Sequence, residues 1–177
     1  TLPDAIEKYE LPDPDFIKLD VEGAELDILK RCSLLGTFGV FSEFRFHRHI
    51  NGCPTFSELD QFMTNRRFML YDLWINRQSR KHLPYRGPLL EYEGKRLYAS
   101  TNGGQIMDGD ALYFRDPLEL KLDSQHIIKI CCMFDIFNLL DCAAELLMER
   151  ENDVEVDVDH CLDLMSGGSY QVYMANY

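Results

Sequence analysis

The sequence lacks the features that mark several large classes of protein. Its 18 Lys and Arg residues are outnumbered by 30 Asp and Glu residues, which gives a formal net charge of −12. Phosphate binding needs basic side chains that release counterions, so we expect neither nucleic acid nor an anionic membrane as a main partner. The most apolar stretch, Ile127 to Met148, is interrupted by Lys129, Asp135, Asp141 and Glu145, so it does not predict a membrane span.

Metal-binding motifs are also absent from the sequence. The six cysteines include no CxxC pair, and Cys131 and Cys132 are adjacent within an apolar run. His47 and His49 have no Cys or carboxylate partner at the spacing that zinc sites use, so no metal site is expected. The cysteines therefore predict reduced, mostly buried thiols in a cytoplasmic protein.

The most informative segment that is present spans residues 15–27. An apolar run, Phe16 to Leu19, stops at Asp20, and an acidic helix begins one turn later. Open α/β sheets bind ligands outside the carboxyl ends of their strands. We therefore predict that Asp20, Glu22 and Gly23 lie at such an edge, where Gly23 allows close approach of a ligand or unusual backbone dihedrals.

Hydrophobic periodicity and capping residues predict an α/β chain followed by a helical tail. The half-sheet, expected to be mainly parallel, ends near residue 117, and residues 118–177 form the α-helical extension. The predicted strands are Phe16 to Leu19, Val40 to Phe46, Phe68 to Ile75 and Ala111 to Arg115, with weak strands near 89–92 and 96–99. The predicted helices of the half-sheet are Leu2 to Tyr9, Ala24 to Cys32, which faces the sheet, and a helix capped by Thr55 and Glu58. The tail is predicted to contain one amphipathic helix of about seven turns after Ser124 and a short helix over Val158 to Met165.

One stretch resembles a known family. Residues 19–30 read LDVEGAELDILK, which resembles the strand-four motif of the FkbM-type methyltransferases, (I/L)DVEGAExx(I/L)LK. The segment VFSEF at 40–44, with Glu43 after an apolar run, resembles the family's fifth strand, and Ala111 to Arg115 resembles its late antiparallel strand. The resemblance covers about residues 1–116, strongly at 15–30 and weakly past 76.

The resemblance implies the C-terminal half of a Rossmann-like methyltransferase fold, from the fourth strand onward. It also implies S-adenosylmethionine as cofactor and an O-methyltransferase that acts on a hydroxyl of a sugar, glycan or polyketide-like acceptor. The family's glycine-rich cofactor turn has no counterpart in the chain. We therefore expect a fragment of a longer enzyme, inactive alone, whose exposed strand edge is covered by the missing half, by a second copy of the chain or by the helical tail.

Candidate roles follow from this resemblance and from the strand-end position. Asp20 is expected near the methyl group and the cofactor, with Glu22 and Gly23 as further cofactor-binding residues. Glu43 is expected either to act in catalysis or to pair with Arg45 or Lys18, because an unpaired carboxylate in an apolar strand is costly. His47 is a candidate general base.

Each of these assignments has a structural alternative. Asp20 also suits a helix cap, and Glu25 is expected to decorate the helix N-terminus. Arg45 and Arg48 suit either an anionic acceptor or the solvated surface. Trp74 suits either stacking on a sugar ring or a place in the core or an interface.

Two other functions fit the sequence. The chain could be a non-catalytic interaction domain, derived from a methyltransferase, that makes an oligomer through its sheet edge or its tail. The acidic triplet at 20–22 also suits a glycosyltransferase metal site, in which carboxylates hold Mg²⁺ or Mn²⁺.

Overall fold

The chain folds into two compact units, which are described separately. Unit 1 is Thr1–Arg115 and unit 2 is Asp116–Tyr177. The computed structural model describes residues 1–48, 54–78, 89–92, 94–98 and 104–168. His49 and Cys53 lie outside these ranges.

Unit 1 contains a mixed four-stranded sheet with strand order β1-β2-β6-β3 and a separate two-stranded sheet made of β4 and β5. Its elements are α1 (Leu2–Lys8), β1 (Phe16–Leu19), α2 (Glu25–Arg31), β2 (Gly39–Arg45), α3 (Phe56–Thr64), β3 (Phe68–Gln78), β4 (Leu89–Tyr92), β5 (Lys95–Tyr98) and β6 (Gln105–Arg115).

The expectation of a mainly parallel sheet is wrong at the level of strand pairs. β1 and β2 pair in parallel, but β6 pairs antiparallel with both β2 and β3. Because β6 alone is reversed, β1, β2 and β3 run in one direction and their carboxyl ends reach the same edge. The predicted antiparallel strand at Ala111 to Arg115 is therefore confirmed, although it begins earlier, at Gln105.

One face of the sheet, here called the helix-covered face, packs against α2 and α3. Leu29 of α2 and Leu59 and Met63 of α3 are fully buried there. The strand residues of this core are Ile17, Leu19, Val40, Phe44, Phe68, Ala111 and Tyr113. The predicted capping interaction that begins α3 is confirmed, because the Glu58 carboxylate accepts hydrogen bonds from the N–H and the hydroxyl of Thr55 at 2.9 Å each.

The opposite face carries a series of ring contacts and is here called the aromatic face. Phe16 contacts Phe114 with ring centroids 5.9 Å apart, and Phe41 contacts Trp74 edge to face at 5.3 Å. Gly39 lies between Phe16 and Phe114, and a Cβ there would come within 2.5 Å of the Phe114 ring. Glycine at this position therefore permits the close ring packing.

A β-bulge in β3 determines which side chains reach each face. The pairing with β6 shifts between Leu70 and Asp72, so Tyr71 is the extra residue. Before the bulge, Phe68 points into the core; after it, Leu73 packs against the core and Trp74 lies on the aromatic face. Side chains alternate along a strand, so one inserted residue exchanges the two faces.

Unit 2 corrects the expectation of one seven-turn helix. Its elements are a 3₁₀ turn at Pro117–Glu119, α4 (Ser124–Ile136), α5 (Leu140–Glu149), a 3₁₀ turn at Glu151–Asp153 and α6 (Val158–Met165). Asn138 separates α4 from α5 with a φ of 58°, in the left-handed region that Asn tolerates better than most residues. The buried residues of α5 are Ala143, Leu146 and Leu147.

Two further sequence-based expectations are tested by burial and helix length. Among the five cysteines in the described part of the chain, Cys131 is buried, Cys132 is exposed and the others are half-buried, so the prediction of mostly buried thiols is wrong. Burial raises the pKa of the Cys131 thiol to about 12. Within the described ranges, no helix combines the length and apolar character that a membrane crossing needs.

The helical packing of unit 2 is tested by Phe134→Asp, with Ile136→Asp as the control. Phe134 is fully buried, whereas Ile136 is 76% exposed two residues later on the same helix. We expect Phe134→Asp to lower the free energy of unfolding by about 3 kcal/mol or more, since it removes a core ring and buries a carboxylate. Ile136→Asp should change it little, and equal effects of both variants in urea unfolding would contradict the packing described here.

Candidate functional site

The turn that follows β1 is held by a buried carboxylate. Glu25, the first residue of α2, is only 2% exposed, and its Oε1 accepts hydrogen bonds from the N–H groups of Val21 at 3.0 Å and Gly23 at 3.2 Å. Glu22 and Gly23 both have positive φ, 55° and 113°. The carboxylate thus satisfies two backbone donors in a tight turn whose conformation a non-glycine residue such as Glu22 adopts only under constraint.

This arrangement confirms one sequence-based expectation and corrects another. Glu25 was expected at the helix N-terminus and is the first residue of α2, where its buried carboxylate also binds the turn. Ala24 was expected to begin α2 and face the sheet, but it is exposed and the helix begins at Glu25. The sequence pattern misled because a buried carboxylate with local backbone partners occupies the position that an apolar residue would otherwise take.

Three predicted site residues come together at the carboxyl ends of β1 and β2. Carboxylate oxygens of Asp20, Glu22 and Glu43, here called the carboxylate cluster, all lie within 4.8 Å of one another. Asp20 and Glu22 are exposed and Glu43 is half-buried. The structure thus places them at the strand end where the sequence located a site, and their catalytic or cofactor-binding roles stay predictions.

Two basic side chains partly neutralise the carboxylate cluster. The Arg45 guanidinium lies 3.2 Å from the Glu22 carboxylate and 3.4 Å from that of Glu43. Lys18 Nζ lies 3.2 Å from Asp20 Oδ2. The pairing of Glu43 with Arg45, one of the two partners suggested from sequence, is therefore observed. Because Arg45 already holds two carboxylates, it is not positioned as a free receptor for an anionic acceptor.

Glu43 and Asp110 differ from ordinary surface carboxylates in their proton affinity. Desolvation raises the pKa of Glu43, and the charges of Glu22, Glu25 and Asp20 act in the same direction, while Arg45 opposes them. Desolvation also raises the pKa of Asp110, with Asp20 and Asp108 adding to the shift and Lys18 opposing it. Asp110 lies on β6 directly opposite Glu43 of β2. The two carboxyls thus hold protons more tightly than usual at one level of the sheet.

Asp110 is a candidate site residue that sequence reasoning missed. It lies in a run, QIMDGDALYFR, whose polar first half gave no strand signal. The register places Asp110 between Glu43 and Trp74. The signal in the sequence that could have identified Asp110 is its position between Gly109 and Ala111, where the apolar half of the strand begins. Gly109 is required there, since a Cβ would come within 2.1 Å of the Trp74 carbonyl oxygen.

His47 and Arg48 lie just beyond the end of β2, outside the carboxylate cluster. His47 Nε2 is 2.8 Å from the amide nitrogen of Gln105, which fixes the ring at the start of β6. Arg48 forms an ion pair with Glu58 of α3. The structure therefore does not bring His47 into the group of Asp20, Glu22 and Glu43, and its role as general base stays a prediction.

The donor set of the carboxylate cluster suits a cationic ligand. Three convergent carboxylates are the ligand type that Mg²⁺ and Ca²⁺ prefer, although Arg45 already contacts two of them. The positively charged sulfur and amine of S-adenosylmethionine suit the same negative edge through charge complementarity. For that cofactor, the described residues supply the acidic groups and the Gly23 turn, which permits close approach to the backbone.

Comparison with known families found a match over the N-terminal part of the chain. Residues 1–70 match the family model of the methyltransferase FkbM domain. Comparison with curated proteins and with solved structures found no match. The predicted resemblance to FkbM-type methyltransferases is therefore confirmed over residues 1–70, a segment that includes α1, β1, α2, β2 and α3 together with the carboxylate cluster. The weaker resemblance expected as far as residue 116 is not covered by the match.

The role of Glu25 in the turn is tested by Glu25→Ala, with Asp27→Ala as the control in the same first turn of α2. We expect Glu25→Ala to destabilise the fold by about 1–3 kcal/mol, because two backbone donors lose their buried acceptor. Hydrogen exchange at the amides of Val21 and Gly23 should accelerate as well. Asp27 is exposed, so its variant should leave both the urea midpoint and these amides unchanged; acceleration by both variants would contradict the assignment.

The electrostatics of the site are tested by following the carboxyl groups of Glu43 and Asp110 during an NMR pH titration. Glu43 should titrate above its ordinary value of 4.5, and Arg45→Met should raise its pKa further by removing the cation that lowers it. Lys18→Met should instead raise the pKa of Asp110.

The two substitutions are controls for each other. The largest influences on the pKa of Glu43 include Arg45 and not Lys18, and the largest influences on the pKa of Asp110 include Lys18 and not Arg45. A fall in either pKa, or identical responses to both substitutions, would contradict this charge arrangement.

Proposed function

We propose that the protein is an S-adenosylmethionine-dependent O-methyltransferase of FkbM type, or its C-terminal portion, which methylates a hydroxyl of a sugar, glycan or polyketide-like acceptor. The observation that carries the proposal is the convergence of Asp20, Glu22 and Glu43 at the carboxyl end of β1 and β2 within the segment that matches the FkbM domain. Open α/β sheets bind ligands outside the carboxyl ends of their strands, and these acidic groups lie there.

The sheet supports the same proposal. In the strand order β1-β2-β6-β3, the strands β1, β2 and β3 run in one direction, and β6 is reversed between β2 and β3. This arrangement agrees with the second half of a Rossmann-like methyltransferase sheet. The strand that corresponds to the family's fourth is β1, and it lies at the edge of the four-stranded sheet. The cofactor's remaining contacts would come from outside these four strands.

Methyl transfer makes two demands on the residues of this chain. When bound, S-adenosylmethionine supplies an electrophilic methyl group on a cationic sulfur. The acceptor hydroxyl must be aligned with that methyl group and must lose its proton as its oxygen is alkylated. Asp20, which is exposed at the strand end, would face the positive charge, and the turn at Glu22 and Gly23 would border the cofactor.

Glu43 is the best-placed group to receive the proton. Its carboxylate is half-buried, and its raised pKa makes the ionised form a stronger base than a surface carboxylate. Arg45, in contact with both Glu43 and Glu22, would hold the base in place and keep it ionised. His47 is the second candidate for this role, with its ring fixed by Gln105.

The interaction-domain function is the second candidate, and the position of β1 favours it. In the described part of the chain β1 pairs with β2 alone. The backbone groups on its other edge could therefore receive a strand from another polypeptide. Such a protein would associate stably without binding a methyl donor.

The proposal is tested by titrating the full-length native protein, of which this chain would be a part, with S-adenosylmethionine in a calorimeter. We expect saturable binding that Asp20→Asn weakens by about tenfold, since it removes a charge facing the cofactor's cation. Asp27→Asn, an exposed change on α2, is the control and should bind as the unaltered protein does. Glu43→Gln should retain cofactor affinity but lose about a hundredfold or more in the rate of methyl transfer. Native protein that binds no S-adenosylmethionine would contradict the proposal, and stable self-association without binding would favour the interaction domain.

A further inference from the structure

One transverse row of side chains crosses the aromatic face beside the carboxylate cluster. Glu43 of β2 is directly opposite Asp110 of β6, and Asp110 is directly opposite Trp74 of β3. Asp20 follows Leu19, which pairs with Ser42, so it lies level with Glu43 at the other end of the row. The row therefore leads from the carboxylate cluster through Asp110 to an aromatic side chain.

The aromatic end of this row is partly exposed. Trp74 is 40% exposed, although its ring contacts Phe41 edge to face at 5.3 Å. Phe41 lies on β2 two residues before Glu43, so the ring pair and the carboxylates belong to one continuous surface. A tryptophan supported by a second ring on a sheet face presents a rigid, flat and apolar surface at low entropic cost.

The spacing of the strands matches a ring-shaped ligand. Neighbouring strands lie about 4.8 Å apart, so Trp74 and Glu43, two strands apart, are separated by about 10 Å. A sugar ring stacked on Trp74 would extend over Asp110. A hydroxyl on the side of the ring away from Trp74 would then lie towards Glu43. Asp110 and Glu43 would accept hydrogen bonds from ring hydroxyls, while the C–H face of the ring would rest on the indole.

Charge restricts the ligand further. Asp20, Glu22, Glu43 and Asp110 surround this surface, and the basic groups near it, Lys18 and Arg45, are already paired with carboxylates. A ligand carrying a carboxylate would meet like charge, whereas a neutral or amino-bearing ring would not. The surface therefore disfavours the anionic acceptor that Arg45 and Arg48 suggested from sequence.

We propose that Trp74, Phe41 and Asp110 form the acceptor platform, which binds the face of a neutral or amino-bearing pyranose ring and directs one hydroxyl to Glu43. The proposal rests on the proposed function, because it identifies the substrate class of the same site. It assigns Trp74 and Asp110 as specificity-determining residues.

The experiment uses the fluorescence of Trp74, which is the one tryptophan in the chain. Native protein without any methyl donor is titrated with methyl glucopyranoside, methyl galactopyranoside, methyl glucosaminide and methyl glucuronide. We expect a saturable change in emission with the neutral and amino sugars and at least tenfold weaker binding of the glucuronide. Absence of saturation with all four sugars, or tightest binding of the glucuronide, would overturn the proposal.

Variants locate the binding surface. Asp110→Asn keeps the fluorescent residue and should weaken binding by about tenfold, which corresponds to the loss of one charge-assisted hydrogen bond. Trp74→Ala should abolish the saturation-transfer NMR signal of the sugar. Ile75→Ala is the matched control, since Ile75 is 41% exposed and is the next residue of β3, on the opposite face. Unchanged affinity in Asp110→Asn, or equal losses in Trp74→Ala and Ile75→Ala, would overturn the proposal.

Two results distinguish this proposal from the function on which it rests. Sugar binding without S-adenosylmethionine binding would support the platform while contradicting the methyltransferase. Cofactor binding without sugar binding would overturn the platform alone. If light scattering showed that Trp74→Ala dissociates an oligomer and no sugar bound, the surface would be a contact between copies of the chain, which also overturns the proposal.

Discussion

The buried carboxylate of Glu25 is the interaction on which the arrangement of the candidate site depends. It accepts hydrogen bonds from the backbone N–H groups of Val21 and Gly23 and so closes the turn between β1 and α2. That closure places Asp20 and Glu22 on the same side as Glu43. A carboxylate that satisfies two backbone donors inside the fold both stabilises the turn and adds negative charge beside Glu43, where it contributes to the raised pKa.

The two faces of the sheet differ in the side chains that they carry. The helix-covered face holds an apolar core with α2 and α3, whereas the aromatic face carries rings over most of its length and acidic groups at the end where β1 and β2 terminate. Lys18 and Arg45 lie among these acidic groups and limit their mutual repulsion. The match to the methyltransferase FkbM domain includes this acidic edge but ends at residue 70, before Trp74 and Asp110. Trp74 and Asp110 thus lie outside the segment that the family model describes, whereas Phe41 and Glu43 lie within it.

Local sequence signals were sufficient for much of the fold. Phe16 to Leu19 was predicted with its observed bounds, because a short apolar run ended by an acidic turn has few alternatives, and Thr55 with Glu58 identified the start of α3. Long-range features were not accessible in this way. The break at Asn138 depends on a left-handed residue within an otherwise periodic stretch, and the burial of Glu25 depends on partners in a turn whose conformation periodicity does not reveal. Asp110 entered the site only through strand register, which pairs it with Glu43 from a sequence distance that no local pattern reports.

The bulge at Tyr71 has a consequence for how this sheet tolerates change in length. Substitutions at Tyr71 would preserve the offset, because the offset comes from the number of residues between Leu70 and Asp72 and not from their chemistry. Deleting Tyr71 would remove the bulge and join Leu70, opposite Tyr113, directly to Asp72, opposite Leu112, in one regular ladder. Leu73 would then stay opposite Ala111 and Trp74 opposite Asp110. The strand can therefore change this residue, or lose it, without turning Trp74 to the other face.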